Sequence, residues 1–87
     1  MVRIWAKVML EQKIIKETMF ESDEAFDIQH LPLYLMDICE KLDLSVPVIL
    51  SKHVRYYYLF NLTKFSIDDF IGESGFDELV LENASFS

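Results

Sequence analysis

The chain has 87 residues, of which 52% are hydrophobic and 14% aromatic, and its formal net charge is -7. This length predicts one domain, residues 1–87, and the apolar content exceeds what a single small core needs, which favours self-association or a protein partner. The negative charge argues against a nucleic-acid or anionic-membrane binder, because both need a positive electrostatic surface.

The cysteine content and the hydropathy pattern indicate a cytoplasmic protein. Cys39 is the single cysteine, which excludes an intramolecular disulfide and a multi-cysteine metal site. The apolar runs are far shorter than the about 20 residues that a membrane span needs, and the start of the chain has no signal-peptide pattern. We therefore expect no membrane contact and a reducing compartment.

Residues 2–10 predict the central strand of a sheet. Side chains alternate along a strand, so one side carries only apolar residues, namely Val2, Ile4, Ala6, Val8 and Leu10. The other side is mixed but still carries Trp5 and Met9. Apolar residues on both sides are typical of a strand that has neighbours on both edges.

Residues 14–21 predict a second strand, joined to the first by a hairpin. Opposite charges across a strand pair stabilise it by roughly 0.2–1 kcal/mol, and this preference selects the register. The predicted register gives these pairs: Arg3 with Glu21, Trp5 with Met19, and Lys7 with Glu17. It predicts a three-residue loop at residues 11–13.

A first helix is predicted after the hairpin. It begins at residue 30 or 31, because Pro32 is tolerated only in a first helical turn, and it ends by Leu44. Its core side recurs at three- and four-residue steps: Ile28, Leu31, Leu35, Ile38, Cys39 and Leu42.

A second helix is predicted from Pro47 or Ser51 to Phe60, with Asn61 as its stop. Whether residues 48–50 begin this helix or form a short extended piece stays open. The candidate core contacts of the helix are Leu50, Val54, Tyr57 or Tyr58, and Phe60.

The remaining chain predicts a helical turn and a last strand. Ser66 and Asp69 form a capping-box-like pair, which indicates a short turn that stops at Gly72. Residues 76–82 suit a strand that pairs with the free edge of the first strand, and residues 83–87 are expected to fray. The predicted fold is therefore α+β in the order ββααβ: a three-stranded, mainly antiparallel sheet of order 2-1-3 with two helices packed on one face.

Residues 52–58, KHVRYYY, combine two permanent cations, an imidazole and three aromatic rings. Such a mixture can contact phosphates and stack bases, so a single-stranded nucleic-acid binder is one hypothesis. A helix with three successive tyrosines must also bury one or two rings, and Tyr and Arg dominate protein interfaces. Because acidic segments flank this one, we favour a structural or protein-interaction role over nucleic-acid binding. The candidate residues are Lys52, His53, Arg55, Tyr56, Tyr57 and Tyr58.

A small enzyme is a further hypothesis, and it requires His30 or His53 to meet a carboxylate. The candidate carboxylates are Asp68, Asp69 and Glu73. No thiol-enzyme spacing surrounds Cys39, which falls on the apolar side of its helix. Helix capping explains the carboxylates, and their spacing fits no metal loop. We predict no catalytic residue, cofactor or metal ion, and lean towards a non-enzymatic protein.

Trp5, Met9 and Met19 fall on the sheet side opposite the fully apolar one. A three-stranded sheet with two helices can bury only one side by itself. The second apolar patch therefore favours a homodimer or a protein partner. The predicted function is a non-enzymatic interaction or regulatory module that binds through this patch or through the rim at residues 56–58.

A layout of scattered residues extends over nearly the whole chain. It joins the RIWAK segment at residues 3–7 to a second-half pattern of Pro47, Lys52, His53, Phe60, Thr63, Phe65, Asp69, Phe70, Ile71, Phe76 and Asp77. This layout resembles a group of short bacterial proteins to which no function is assigned. The resemblance implies a bacterial, cytoplasmic origin and carries over no catalytic or binding residue.

Overall fold

The computed structural model describes residues 1–85 and has the predicted α+β class, with two helices and one antiparallel sheet. Its strands are β1 (Val2–Leu10), β2 (Lys13–Ser22), β3 (Leu62–Ser66) and β4 (Glu78–Asn83). Its helices are α1 (Leu31–Leu42) and α2 (Ser51–Phe60), with single turns of 3-10 helix at Ile28–His30 and Ile67–Asp69. Within residues 1–85, neither helix has the length and apolar character needed to cross a membrane.

The sheet has four strands in the order β2-β1-β4-β3, so the predicted three-stranded sheet of order 2-1-3 is wrong. The additional strand is β3, which pairs with the outer edge of β4. Buried Thr63 and Phe65 alternate with exposed Lys64, which is the signal that the sequence holds for this strand. Five residues are too few for alternation to distinguish a strand from a loop.

The hairpin between β1 and β2 has the predicted register over most of its length. These pairs are confirmed: Arg3 with Glu21, Trp5 with Met19, and Lys7 with Glu17. The register shifts between Val8 and Met9, where Ile15 is the extra residue of a bulge. The loop therefore has two residues, Glu11 and Gln12, and the predicted three-residue loop is wrong because the bulge takes up the third residue.

Both helices cover the same face of the sheet. Four β1 residues on this face are each at most 1% exposed: Val2, Ile4, Ala6 and Val8. The buried residues of α1 include five that the helical spacing predicts: Leu31, Leu35, Ile38, Cys39 and Leu42. Burial of apolar surface is worth about 25 cal/mol per Å², so this layer supplies the main driving force for folding.

The helix boundaries follow from backbone chemistry. α1 begins at Leu31 with Pro32 in its first turn, as predicted, since the N–H that proline lacks has no intrahelical partner there. Each helix ends at a residue in the left-handed conformation, Asp43 (φ 59°) for α1 and Asn61 (φ 57°) for α2. The predicted stop at Asn61 is confirmed, and it turns the chain back into β3.

The buried side of α2 differs in part from the prediction. Tyr57 is 2% exposed, and His53, at 1%, takes the second buried position. Leu50 and Phe60 are 45% and 67% exposed, so their predicted core role is wrong. The His53 ring packs on Phe65, with the two ring centroids 4.3 Å apart. Contact with β3 therefore decides which side of α2 is buried, and hydropathy alone does not.

Residues 84–85 are tied to β1 by hydrogen bonds. The Ala84 N–H donates to the Arg3 carbonyl oxygen at 2.8 Å, and the Ser85 hydroxyl oxygen accepts from the Arg3 N–H at 2.7 Å. Residues 84–85 of the segment expected to fray are therefore held in place. Residues 86–87 of that segment lie outside the described residues.

Replacing Gln12 by glycine should stabilise the protein. Glu11 and Gln12 have φ angles of 51° and 67°, the left-handed pair of a type I′ turn, in which a Cβ is strained. We expect the free energy of unfolding to rise by about 0.5–1 kcal/mol, measured by urea denaturation. Lys13→Gly, a matched change at the start of β2, should lower it. A loss of stability in Gln12→Gly would contradict the turn geometry.

Candidate interaction site

α2 presents four large apolar side chains to solvent. Their exposed fractions are 70% for Tyr58, 67% for Phe60, 57% for Leu59 and 47% for Tyr56. Contiguous apolar surface of this kind marks interaction sites in small soluble domains. The helix therefore has a core side, set by His53 and Tyr57, and an outer side that nothing within residues 1–85 covers.

A groove of about 410 Å³ lies between α2 and the edge strand β3. α2 contributes residues spaced by four, which form one stripe along the helix on the side of β3. The lining residues are Lys52, His53, Tyr56, Phe60, Leu62, Thr63 and Lys64. In the described part of the chain the lining residues include two lysines and no carboxylate. The Lys64 side chain lies at the border of the groove, on the face of β3 opposite Thr63.

The groove unites some of the predicted site residues and leaves others apart. Those that line it are Lys52, His53 and Tyr56. Tyr58 lines a second depression, of about 570 Å³, with Phe26 and His30. Arg55 is exposed outside both depressions, and Tyr57 is core. Successive helix residues point about 100° apart, so the side chains of the KHVRYYY segment lie in four different places: the groove, the second depression, open solvent and the core.

Four lining residues were not among the predicted interface residues: Phe60, Leu62, Thr63 and Lys64. Phe60 continues the four-residue spacing of Lys52 and Tyr56, which is a signal available in the sequence. The other three belong to β3, which the pattern did not predict as a strand.

The outer edge of β3 carries backbone groups with no partner within residues 1–85. The Asn83 N–H donates to the Asn61 carbonyl oxygen at 2.8 Å, so alternate residues from Asn61 onward exchange hydrogen bonds with β4. Thr63 belongs to this set, whereas Leu62 and Lys64 direct their N–H and C=O groups away from β4. These groups border the groove and are free to pair with another chain.

His53 uses both ring nitrogens within the chain. Nδ1 accepts a hydrogen bond from the Leu50 N–H at 2.9 Å, so Nε2 carries the proton and donates to Asp69 Oδ2 at 3.2 Å. Asp69 Oδ2 also accepts from the Ser66 N–H at 2.9 Å, which confirms the predicted cap. The turn ends at Asp69 and does not reach Gly72. This network joins the start of α2 to the end of β3.

The contact between His53 and Asp69 meets the geometric condition that a small enzyme requires. Burial lowers the pKa of His53 below its usual 6.5, the Asp69 carboxylate opposes this shift, and Lys52 adds to it. The ring is therefore neutral at pH 7, and neither nitrogen has a free lone pair or proton for a substrate. His30 lies elsewhere on the surface, 3.8 Å from Asp27.

Of the two remaining candidate carboxylates, only Glu73 holds a backbone group. Glu73 Oε2 accepts a hydrogen bond from the Ser45 N–H at 2.6 Å, and Asp68 is exposed. Within residues 1–85, no three or more His, Cys, Asp or Glu side chains are grouped so that they hold a metal ion.

The uncovered face of the sheet mixes charged and apolar side chains. Lys7 Nζ lies 4.1 Å from the centre of the Trp5 ring, and Trp5 Nε1 donates to Glu17 Oε1 at 3.0 Å. Met9 is half-buried, and Met19 is 36% exposed. Lysine stems and a cation–π contact thus shield the tryptophan that the sequence identifies as part of an interface.

Comparison with protein-family models, with curated proteins and with solved structures gives no match for this chain. The resemblance to short bacterial proteins therefore stays a prediction.

His53 should make the protein less stable in mild acid. Because folding lowers the pKa of His53, the unfolded state binds more protons between the folded-state pKa and the usual 6.5. The stability from the neutral ring is complete above about pH 6.5 and is lost as the pH falls, with a slope of up to about 1.4 kcal/mol per pH unit. Urea denaturation at a series of pH values measures it.

Two variants serve as controls for this pH dependence. His53→Gln should flatten the slope, because glutamine does not titrate, whereas His30→Gln removes an exposed histidine and should keep it. Equal slopes in all three proteins would show that the His53 ring is not the titrating group.

Cys39 should resist thiol reagents in the folded protein. It is fully buried, and this burial, aided by the nearby Glu73 charge, raises the pKa of the thiol to about 11. We expect little reaction with a chromogenic disulfide reagent at about pH 8 and complete reaction in denaturant. Equal rates with and without denaturant would contradict the burial of Cys39.

Proposed function

We propose that this chain is a non-enzymatic protein-interaction module that works with a protein partner or a second copy of itself. Its main contact surface is the α2–β3 groove together with the exposed aromatic residues of α2. One observation carries the proposal: Tyr56 and Phe60 are exposed beside a groove whose two lysines form no ion pair within residues 1–85. Aromatic residues of this kind dominate the energetics of interfaces.

The sheet face around Trp5, Met9 and Met19 supports the same class of function less strongly. Its tryptophan already binds Lys7 and Glu17, so a partner there has to displace internal contacts. The groove lysines have no such contacts within the described residues. We therefore assign the main contact to the groove.

The role of His53 supports binding over catalysis. A general base needs a ring nitrogen within hydrogen-bond reach of its substrate. Both nitrogens of His53 are bound to Leu50 and Asp69, and the residue is 1% exposed. The ring therefore maintains the shape of the groove and offers no site for proton transfer.

Single-stranded nucleic acid is the second candidate ligand. Lys52 and Tyr56 line the groove and Lys64 lies at its β3 edge, and cations beside an aromatic platform are typical of such binders. The net charge of -7 opposes this function, because phosphate binding depends on a positive field, and Arg55 lies outside the groove. These facts favour a protein ligand.

Phe60→Ser should remove the interaction without unfolding the protein. Phe60 is 67% exposed, so its replacement should change the free energy of unfolding by less than about 0.5 kcal/mol. Light scattering on a sizing column across a dilution series then gives the solution mass. We expect wild-type dimers, if the partner is a second copy, to become monomers in Phe60→Ser.

Ile71→Ser is the matched control, because Ile71 is 83% exposed and lies outside the groove. If the wild-type chain is a monomer, capture of binding proteins should be lost for Phe60→Ser and kept for Ile71→Ser. A monomer whose captured proteins are the same for all three forms would refute the proposed function.

A further inference from the structure

We propose that the α2–β3 groove accepts an extended, acidic segment of another protein, which adds to β3 as a fifth strand. This inference rests on the proposed function and names the chemistry of its ligand. Three independent features carry it: the free edge of β3, the side-chain lining of the groove, and the charge of that lining.

The backbone of β3 offers the hydrogen bonds that a fifth strand needs. Leu62 and Lys64 point their N–H and C=O groups away from β4, and the register of β3 is regular over all five paired positions. The opposite edge strand, β2, contains the bulge at Ile15, which interrupts regular pairing. β3 is therefore the better edge for strand addition.

The groove provides pockets for alternate side chains of the added strand. Successive side chains of a strand point to opposite faces, so every second residue of the ligand enters the space between β3 and α2. Tyr56 and Phe60 form its apolar wall. Thr63, at its floor, is 1% exposed, and its hydroxyl oxygen has no hydrogen-bond partner among the described residues. A buried polar group left unpaired is costly, and a polar ligand group satisfies it.

The charge of the groove selects an acidic ligand. Lys52 lines its α2 wall, and Lys64 lies at its β3 edge, where strand alternation directs the Lys64 side chain to the sheet face opposite Thr63. No carboxylate of residues 1–85 lines the groove, and neither lysine has an ion-pair partner among those residues. By contrast, Arg3 and Lys7 on the open sheet face lie 3.5 Å from Glu21 and 3.6 Å from Glu82. Two unpaired cations beside a free strand edge match a segment that alternates carboxylate and apolar side chains.

The test begins with a displayed library of random linear peptides, selected on the full chain. We expect enrichment of peptides that alternate acidic and apolar residues. The enriched peptides are then synthesised, and their Kd values are measured by fluorescence anisotropy against the wild-type chain and the variants described next.

Lys64→Pro removes an N–H on the free edge without removing a hydrogen bond to β4, so the strand can keep its place in the sheet. Lys52→Glu and Lys64→Glu keep the backbone and reverse the charge. Each variant should weaken binding by about tenfold or more. Lys13→Glu, the same charge change on the far edge strand, should leave Kd unchanged. If Lys64→Pro fails to fold, the two glutamate variants still decide the question.

Thr63→Val separates binding from structural support. Valine keeps the shape of the side chain and removes the hydroxyl, so the free protein should unfold at the same or a higher temperature while peptide binding weakens. Unchanged peptide affinity in Thr63→Val would remove Thr63 from the proposed contact.

Other results would overturn the inference and leave the proposed function standing. The first is the selection of peptides that lack carboxylates. The second is a peptide affinity that Phe60→Ser weakens but Lys64→Pro leaves unchanged. The third is a wild-type dimer that Lys64→Pro converts to a monomer, because this result would identify a second copy of the chain as the ligand. Tight, salt-sensitive binding of an oligothymidylate would overturn both in favour of nucleic acid. Absence of any enriched peptide, together with equal behaviour of Phe60→Ser and Ile71→Ser, would also refute both.

Discussion

The burial of one apolar face of β1 in the core that it shares with both helices is the interaction on which the other elements depend. The side chains of Val2, Ile4, Ala6 and Val8 are almost completely buried in it. Because side chains alternate with a period of two, a slip of one residue would turn this whole face to solvent. The burial therefore fixes which residues of β1 face the core, and the pairing of β1 with β2 and β4 fixes the register of those two strands. β3 then follows from its pairing with β4.

α2 is held at the β3 end of the sheet by a more specific set of contacts. The neutral ring of His53 packs on Phe65 and forms hydrogen bonds with Asp69 and with the Leu50 backbone. It therefore contributes both an apolar contact and two polar contacts. A buried imidazole without charge avoids the large cost of burying an ion. Since these contacts use only the inner side of α2, the outer side is free to carry aromatic residues.

The pairing of charges distinguishes the two open surfaces of the protein. On the uncovered sheet face, Lys7 lies over the Trp5 ring and forms an ion pair with Glu82, while the Trp5 ring N–H donates to Glu17. Lys52 in the groove and Lys64 at its β3 edge have no such partners within residues 1–85. A surface that neutralises itself gains less from a ligand than one that does not, because an internal pair must be broken first. This difference is the electrostatic reason for assigning binding to the groove.

Long periodic segments were predictable because the same spacing of apolar residues repeats over many positions. This holds for β1, for α1 with its proline start, and for most of the hairpin register, which cross-strand charges selected. The bulge at Ile15 was not predictable, because the charge pairs that selected the register also fit a regular hairpin with a three-residue loop. Only the local twist of the strands distinguishes the two arrangements. Of the candidate site, the sequence identified Lys52, His53 and Tyr56 as a mixed segment but not the surface on which they meet.

The sequence by itself therefore determined the fold class, the central strand, both helices and the aromatic, basic character of the second helix. Only the tertiary structure decided that a fourth strand exists, that it is an edge, and that α2 lies beside it with Thr63 beneath. The physical reason is that β3 becomes a strand only because it pairs with β4, and the paired residues are distant from one another along the chain. Its five residues carry too weak a local preference to define it. The groove depends on that pairing, so it has no counterpart in any local pattern.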